Sequence, residues 1–278
     1  MSYITIKGLG KSGDLGSQLQ QYASLHAIAK ENNKVIAFPE SSLIQGWGFK
    51  FSKLIDIPLT IMPEDFFCDF VDIEPNGMMI KDPNMFKLDS NINYNISGLF
   101  HLFHYWHPKY SNDILNMSLN KDYENAAKEL YKKIKVQDKE LVSIHVRRGD
   151  YLLPQHHHFC KLDNNYYESA LQYFLDHIEK YHFVIFSNDI EWCKENLIEG
   201  EMVTFMQQGQ DCVDMILMSM CDHNIIANSS YSWWAAYINK NENKKIICPT
   251  NYLKSYSEFN FVNGNYYPNA WKNIDNES

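Results

Sequence analysis

The sequence predicts an α/β fold in two compact halves, each a parallel sheet flanked by helices. Three observations carry this. Along the second half, short β-like runs alternate with amphipathic helical stretches, the pattern of a doubly wound parallel sheet. At the amino end a strand, a glycine-rich loop, a helix and another strand follow one another as a βαβ unit. A chain of 278 residues also suits two cores of ordinary size better than one. The boundary is expected at 135, giving halves of 1–135 and 136–278.

Residues 3–8 alternate as a strand and end in Gly8-Leu9-Gly10-Lys11-Ser12-Gly13-Asp14-Leu15-Gly16. Ser17 stands where it can cap the next helix, whose stripe of Leu19, Tyr22, Ala23, Leu25, Ala27 and Ile28 runs to Asn32-Asn33. Lys34 to Phe38 is the following strand, stopped by Pro39. Between 40 and 120 the pattern breaks into short apolar pieces punctuated by Pro58, Pro63, Pro75, Pro83 and Pro108. Within it, Phe100-His101-Leu102-Phe103-His104-Tyr105-Trp106-His107 spaces its histidines i, i+3, i+6 among aromatics, which describes a packing face better than a metal site. Lys121 to Ile134 is a charged amphipathic helix. Beyond it come a strand at 141–147, a polar loop with His156-His157-His158, a helix from Tyr166 to Lys180, and a strand at 182–187. A helix through Trp192 to Leu197, a strand at 202–206 and a helix from Asp211 to Cys221 follow. A strand at 224–227, a helix from Ser232 to Asn239 and a strand at 244–248 complete the alternation.

Lys plus Arg number 25 against 34 Asp plus Glu, a net charge of −9 that argues against nucleic acid or an anionic membrane as partner. Any phosphate must then be held by a local site. The cysteines at 68, 160, 193, 212, 221 and 248 show no Cys-x-x-Cys pair, so free thiols are expected. The stretch Met1 to Lys7 enters a strand directly, without the basic and apolar regions of a signal peptide. No run approaches the roughly 18 apolar residues of a membrane span. A cytoplasmic protein is expected.

Polar groups gather where strands end. The run Leu141-Val142-Ser143-Ile144 closes in His145-Val146-Arg147-Arg148-Gly149-Asp150-Tyr151, two guanidiniums and a carboxylate where a buried strand should stop. Open α/β sheets place ligands at such carboxyl ends, and two forked, permanently charged donors suit a diphosphate. These residues alone equally allow an ion pair of Arg147 or Arg148 with Asp150, which would be worth little. Ser187-Asn188-Asp189 and Asn228-Ser229-Ser230 lie at two other strand ends, the latter also readable as an ordinary helix cap. The glycine loop offers backbone N–H groups at a helix start, but lacks the Gly-Lys-Ser of a nucleotide-hydrolysing loop.

His145-Val146-Arg147-Arg148-Gly149-Asp150-Tyr151 resembles the His-x-Arg-Arg-x-Asp motif of the α-1,2- and α-1,6-fucosyltransferase superfamily. Three further segments resemble bacterial-type α-1,2-fucosyltransferases of glycosyltransferase family 11, in the same order: Gly13 to Ala23, Phe186 to Cys193, and Asp214 to Ala236 with its Asn228-Ser229-Ser230-Tyr231-Ser232-Trp233-Trp234. The resemblance implies a GT-B-like architecture, two Rossmann-like domains facing a central cleft, with GDP-fucose held mainly by the carboxyl-terminal one. It implies inversion at the fucose anomeric carbon, with no cofactor and no metal. By the same resemblance Arg147 binds the β-phosphate and stabilises the departing GDP, and His145 and Asp214 contact the guanosine. Asn228, Ser229 and Ser230 form the pyrophosphate segment, Arg148 and Asp150 order the loop as an ion pair, and Gly16 and Gln18 meet the phosphates or fucose. Asp14 is the candidate base for the incoming hydroxyl, with a loop cap as its alternative reading. Ser17 departs from the Asn usual in the family. The expected acceptor is a galactose-terminated glycan modified at O2, and a lipid-linked one would bring the chain beside a membrane. Another fucosyl linkage, α-1,6 or O-fucosylation, and a non-catalytic GDP-sugar- or glycan-binding protein are the alternatives.

Overall fold

The computed structural model describes all residues except 12, 45, 47, 76–80, 99–102, 208, 255–265, 277 and 278. Ser12 of the glycine loop and Phe100, His101 and Leu102 of the aromatic patch therefore lie outside the described residues. The described residues form two compact units, one up to Asn120 and the other from Lys121 onward.

In the first unit β1 (Tyr3–Thr5) leads through the glycine loop into α1 (Leu15–Glu31), followed by β2 (Val35–Ile36), β3 (Phe38–Pro39), α2 (Phe51–Leu54) and β4 (Ile61–Met62). β5 (Val71–Ile73), β6 (Tyr94–Ile96) and α3 (Ser111–Leu115) complete it. A parallel sheet runs in the order β2-β1-β6-β5, beside a separate parallel pair β3-β4. The single strand expected over 34–38 is thus two strands in two sheets, because Ile36 pairs with Ile4 while Phe38 pairs with Ile61. The helix after the glycine loop also starts earlier than expected. Asp14, not Ser17, is its N-cap, its carboxylate accepting from the Leu15 N–H at 2.7 Å. The expected stripe is buried, with Leu19, Ala23, Leu25, Ala27 and Ile28 at 2% exposure or less. In the aromatic patch, Phe103, Tyr105 and Trp106 are buried, and His107 Nδ1 lies 2.8 Å from Ser111 Oγ, so its described part packs.

The second unit begins with α4 (Lys121–Ile134), β7 (Glu140–Val146), α5 (Asn164–His177) and β8 (Tyr181–Ser187). α6 (Ile190–Asn196), β9 (Val203–Phe205), α7 (Asp211–Met220) and β10 (His223–Ile225) follow, then α8 (Ser230–Tyr237), β11 (Ile246–Pro249) and β12 (Lys272–Ile274). Six parallel strands stand in the order β12-β11-β10-β7-β8-β9. The chain therefore starts in the middle at β7, winds outward through β8 and β9, then returns to the other flank of β7 with β10. This is the doubly wound topology, with its reversal between β7 and β10. β7 is covered on both faces, which explains why residues of both parities are apolar: Leu141, Val142, Ile144 and Val146 are all fully buried, with Ser143 and His145 buried between them. Tyr166, Tyr167 and Phe174 of α5 pack on Phe183 and Ile185 of β8 to make the core. β12 is an addition that no expected element covered.

Candidate active site

In an open α/β sheet the crevice outside the carboxyl ends, at the reversal of strand order, is where ligands bind. In this sheet β7 supplies His145 and the two arginines to that edge, β8 supplies Ser187-Asn188-Asp189, and β10 supplies Asn228-Ser229-Ser230.

His145 is 5% exposed, its ring 5.4 Å from that of Tyr231, and its Nδ1 has no hydrogen-bond partner. Burial first, and the Arg147 charge second, push its pKa down to about 3, so the ring is neutral. Arg147 donates from Nη2 to Asp150 Oδ2 at 2.8 Å, with its guanidinium carbon 5.4 Å from the Tyr151 ring centre. Its Nε is buried and unpartnered. Arg148 turns away, donating from Nε to Asp189 Oδ2 at 3.3 Å and lying 4.0 Å over the Trp192 ring. The expected pair of Arg148 with Asp150 is therefore not formed; Arg147 holds Asp150 instead. The cause is local. Gly149 sits at φ +36° and opens a 3-10 turn over Gly149–Leu152, which brings residue i+3 back to Arg147 while Arg148 faces the end of β8.

Asn228 is 1% exposed and clamps two backbones, its Nδ2 donating to Cys160 O at 2.7 Å and Tyr252 O at 3.0 Å. Its Oδ1 is buried without a partner, and its carbonyl accepts from the Tyr151 hydroxyl at 3.2 Å. Ser229 caps α8, accepting from the Tyr231 N–H at 3.3 Å, and Ser230 opens the helix. The Tyr231 hydroxyl donates to Asp211 O at 2.7 Å and so ties the starts of α8 and α7 together. On α7, Asp214 accepts from the Gly209 N–H at 3.1 Å; burial, then the nearby Asp211, raise its pKa, while the Gly209 bond opposes them. Three unpartnered buried atoms thus come from His145, Arg147 and Asn228, at the reversal itself. Asn188, read from sequence as part of a polar strand end, joins this group, as do Tyr151 and Trp192, which lie in the quoted segments but were given no role.

Asp14, Gly16 and Gln18 belong to the first unit. Gln18 is fully buried, and both its amide hydrogens are spent on backbone, at Gly13 O (3.2 Å) and Gly48 O (2.9 Å), while its Oε1 accepts from Phe51 N–H at 3.2 Å. It works as a joint between two glycine loops. Gly8, Gly10 and Gly13 do stand at Gly-x-Gly-x-x-Gly spacing, yet a Cβ on Gly10 would lie 2.9 Å from Gly48 O, and one on Gly46 would lie 2.7 Å from Gly10 O. Gly10 and Gly46 are thus explained by backbone meeting backbone, and Gly13 by its φ of +84° beside the Ser17 side chain. Gly16 lies buried in the first turn of α1. Asp14 caps α1 and also pairs with Lys50 Nζ at 2.6 Å. Among the described residues no group of three or more His, Cys, Asp or Glu is placed to hold a metal, and no helix is long and apolar enough to cross a membrane.

Comparison with known proteins agrees with this topology. The structure superposes on POFUT1 in complex with GDP-fucose with a TM-score of 0.59 at 11% identity, covering 89% of this chain and 98% of that one. It superposes on NodZ α-1,6-fucosyltransferase soaked with GDP-fucose with a TM-score of 0.55 at 11% identity, covering 85% and 92%. At that identity the likeness establishes the fold, which is GT-B-like α/β. In sequence the chain is 36% identical over 141 residues to the O-antigen biosynthesis glycosyltransferase WbnK of Escherichia coli, a stretch spanning 47% of this chain and only 46% of that protein. It is 29% identical over 273 residues to an α-1,2-colitosyltransferase of Escherichia coli, covering 86% and 89%. With human galactoside α-(1,2)-fucosyltransferase 1 it shares 26% over 247 residues, covering 82% and 64%. The model of glycosyl transferase family 11 matches residues 5–275, nearly the whole described sheet system of both units, and the chain therefore belongs to that family.

Proposed function

We propose that this protein is an inverting glycosyltransferase that moves L-fucose from GDP-β-L-fucose to O2 of a terminal galactose, forming an α-1,2 linkage. The observation that carries this is Arg147: a fixed guanidinium with a buried, unpartnered Nε at the reversal of a doubly wound sheet. In such a transfer the bond between C1 of fucose and the β-phosphate oxygen breaks, and its electron pair stays on GDP. The acceptor oxygen attacks C1 from the opposite face and its proton leaves to a base. Negative charge growing on the diphosphate is where a preorganised donor is worth most, and Arg147 fills that role. The start of α8, with Ser229 and Ser230, adds N–H groups and the positive end of the helix dipole. His145, neutral at working pH, and Asp214 are assigned to the guanosine, where a carboxylate can accept both N–H donors of the guanine edge. Arg148 and Asp150 order the loop, Gly16 and Gln18 shape the glycine loop, and Asp14 is the base, exchanging Lys50 for the acceptor hydroxyl.

The second unit then serves the donor and the first unit the acceptor, with α4 on the donor side and the division after Asn120 in place of the boundary expected at 135. Arg147 supplies the charge a divalent ion brings in other transferases, so EDTA is expected to leave the rate unchanged; inhibition reversed by a divalent ion would refute metal independence. Free thiols at Cys68, Cys160, Cys193, Cys212, Cys221 and Cys248 fit a reducing, cytoplasmic setting. A second reading, transfer of colitose in place of fucose, is favoured by the relative named for that activity. Incubation with GDP-fucose or with GDP-colitose and a panel of galactose-terminated glycans, followed by linkage analysis, separates these. An α-1,2-fucosylated product supports the proposal, product from GDP-colitose alone selects the second reading, and GDP binding without any transfer refutes both.

A further inference from the structure

Arg147 is aimed by groups that do not touch it. Its Nη2 rests on Asp150 Oδ2, and Asp150 Oδ1 in turn accepts from Asn188 Nδ2 at 3.3 Å. The same Asn188 side chain accepts from the Arg148 backbone N–H through Oδ1 at 2.9 Å. One amide thus grips the chain on both sides of Gly149, from the end of the neighbouring strand β8. Its room exists only because residue 149 lacks a side chain: a Cβ there would lie 2.6 Å from Asn188 Nδ2. The next residue, Asp189, completes the sorting of the two arginines. It caps α6, accepting from the Trp192 N–H, and takes Arg148 onto Trp192, clear of Asp150.

We propose that Asn188 is a positioning residue which holds Asp150 and, through it, fixes the Arg147 guanidinium for the departing diphosphate. The assignment rests on the transferase reading given above. An amide suits the post because it must donate to a carboxylate and accept from a backbone N–H at once, which neither a carboxylate nor a hydroxymethyl of that length does in this geometry.

The test is a double-mutant cycle of Asn188→Ala and Asp150→Asn, with kcat and KM for GDP-fucose on a galactose-terminated acceptor, thermal melts, and the 31P shift of the β-phosphate in bound GDP. Asn188→Ala is expected to lower kcat by about 10- to 100-fold with a small change in KM, the cost of a misplaced catalytic group. It should shift the β-phosphate signal toward that of Arg147→Ala. In the Asp150→Asn background the same change should cost little more, since both act on one guanidinium. Asn188→Asp, which keeps only the grip on Arg148 and turns a second carboxylate toward Asp150, should not restore kcat. Additive losses in the cycle, or an unmoved β-phosphate signal in a folded Asn188→Ala protein, overturn the proposal while leaving the transferase reading intact. Full activity in Arg147→Ala, or no GDP binding by the wild type, overturns both.

Discussion

Arg147 and Arg148 are neighbours of equal charge, yet one ends on Asp150 and the other on Asp189 and Trp192. Arg147→Ala is expected to lower kcat by about 100-fold or more, as removal of one preorganised donor does. Arg147→Lys should recover only part, because an ammonium lacks the fork that engages two oxygens; the readout is GDP release from GDP-fucose. The strand-end motif and the resemblance gave this pair and its division of labour from sequence, but not which carboxylate each arginine holds. Asp150 is three residues from Arg147, whereas the partner of Arg148 is 41 residues away at the start of α6, and no local pattern reports such a contact. Asp14 is similarly double: a cap by position and an ion-pair partner of Lys50 by geometry. Asn caps a helix as well as Asp does, so Asp14→Asn isolates the chemistry from the cap. A steep fall in turnover with unchanged melting is expected, and near-normal turnover across pH ends the claim of Asp14 to be the base.

At the scale of elements, the second half was legible because its two central strands are long and buried and its helices alternate regularly with the strands. β7 and β8 each span seven residues, enough for an apolar run to stand out. The first half resisted because its strands hold two or three residues, too few to show any period. The start of α1 was missed since Asp14 and Ser17 are both good caps; Gly13, at φ +84° and with no space for a Cβ beside Ser17, settles the turn in favour of Asp14. Gln18 is the fastening of this region. Gln18→Leu would leave Gly13 O, Gly48 O and the Phe51 N–H without their partner, at about 1–3 kcal/mol for each group that stays buried. A loss of unfolding free energy in urea of about 2–4 kcal/mol is expected on that basis. A loss below about 0.5 kcal/mol, the scale of a neutral surface change, would show the joint to be idle.

For the molecule as a whole, strand order was the part least visible from sequence. Alternation implied parallel sheets, but only the structure places β10 beside β7 and puts His145, Arg147 and Asn228 around one reversal. A global property follows from its buried imidazoles. His145 is pushed down to about 3, and His104, His182 and His223 are also lowered, each with burial as the largest cause. The unfolded chain takes up these protons near pH 6.5, the folded chain only at lower pH, so in between the unfolded state binds more protons and stability falls as pH falls. The melting temperature should hold from pH 8 to 7 and drop progressively below about 6.5. A flat profile down to about pH 4.5, near the carboxylate range, would contradict the burial of these rings.

The close approach of Gly10 to Gly48, and of Gly46 to Gly10 and Lys11, leaves the two loops no slack for independent change. A side chain introduced in one collides with the backbone of the other, and no residue smaller than glycine exists to make room, so substitutions at these positions are rejected singly and in pairs. Attempts to re-engineer the first unit by one-site libraries will therefore find these glycines silent for diversity, and useful variation will come from the outward-facing Leu43 and Ile44, 45% and 85% exposed, next to the second loop.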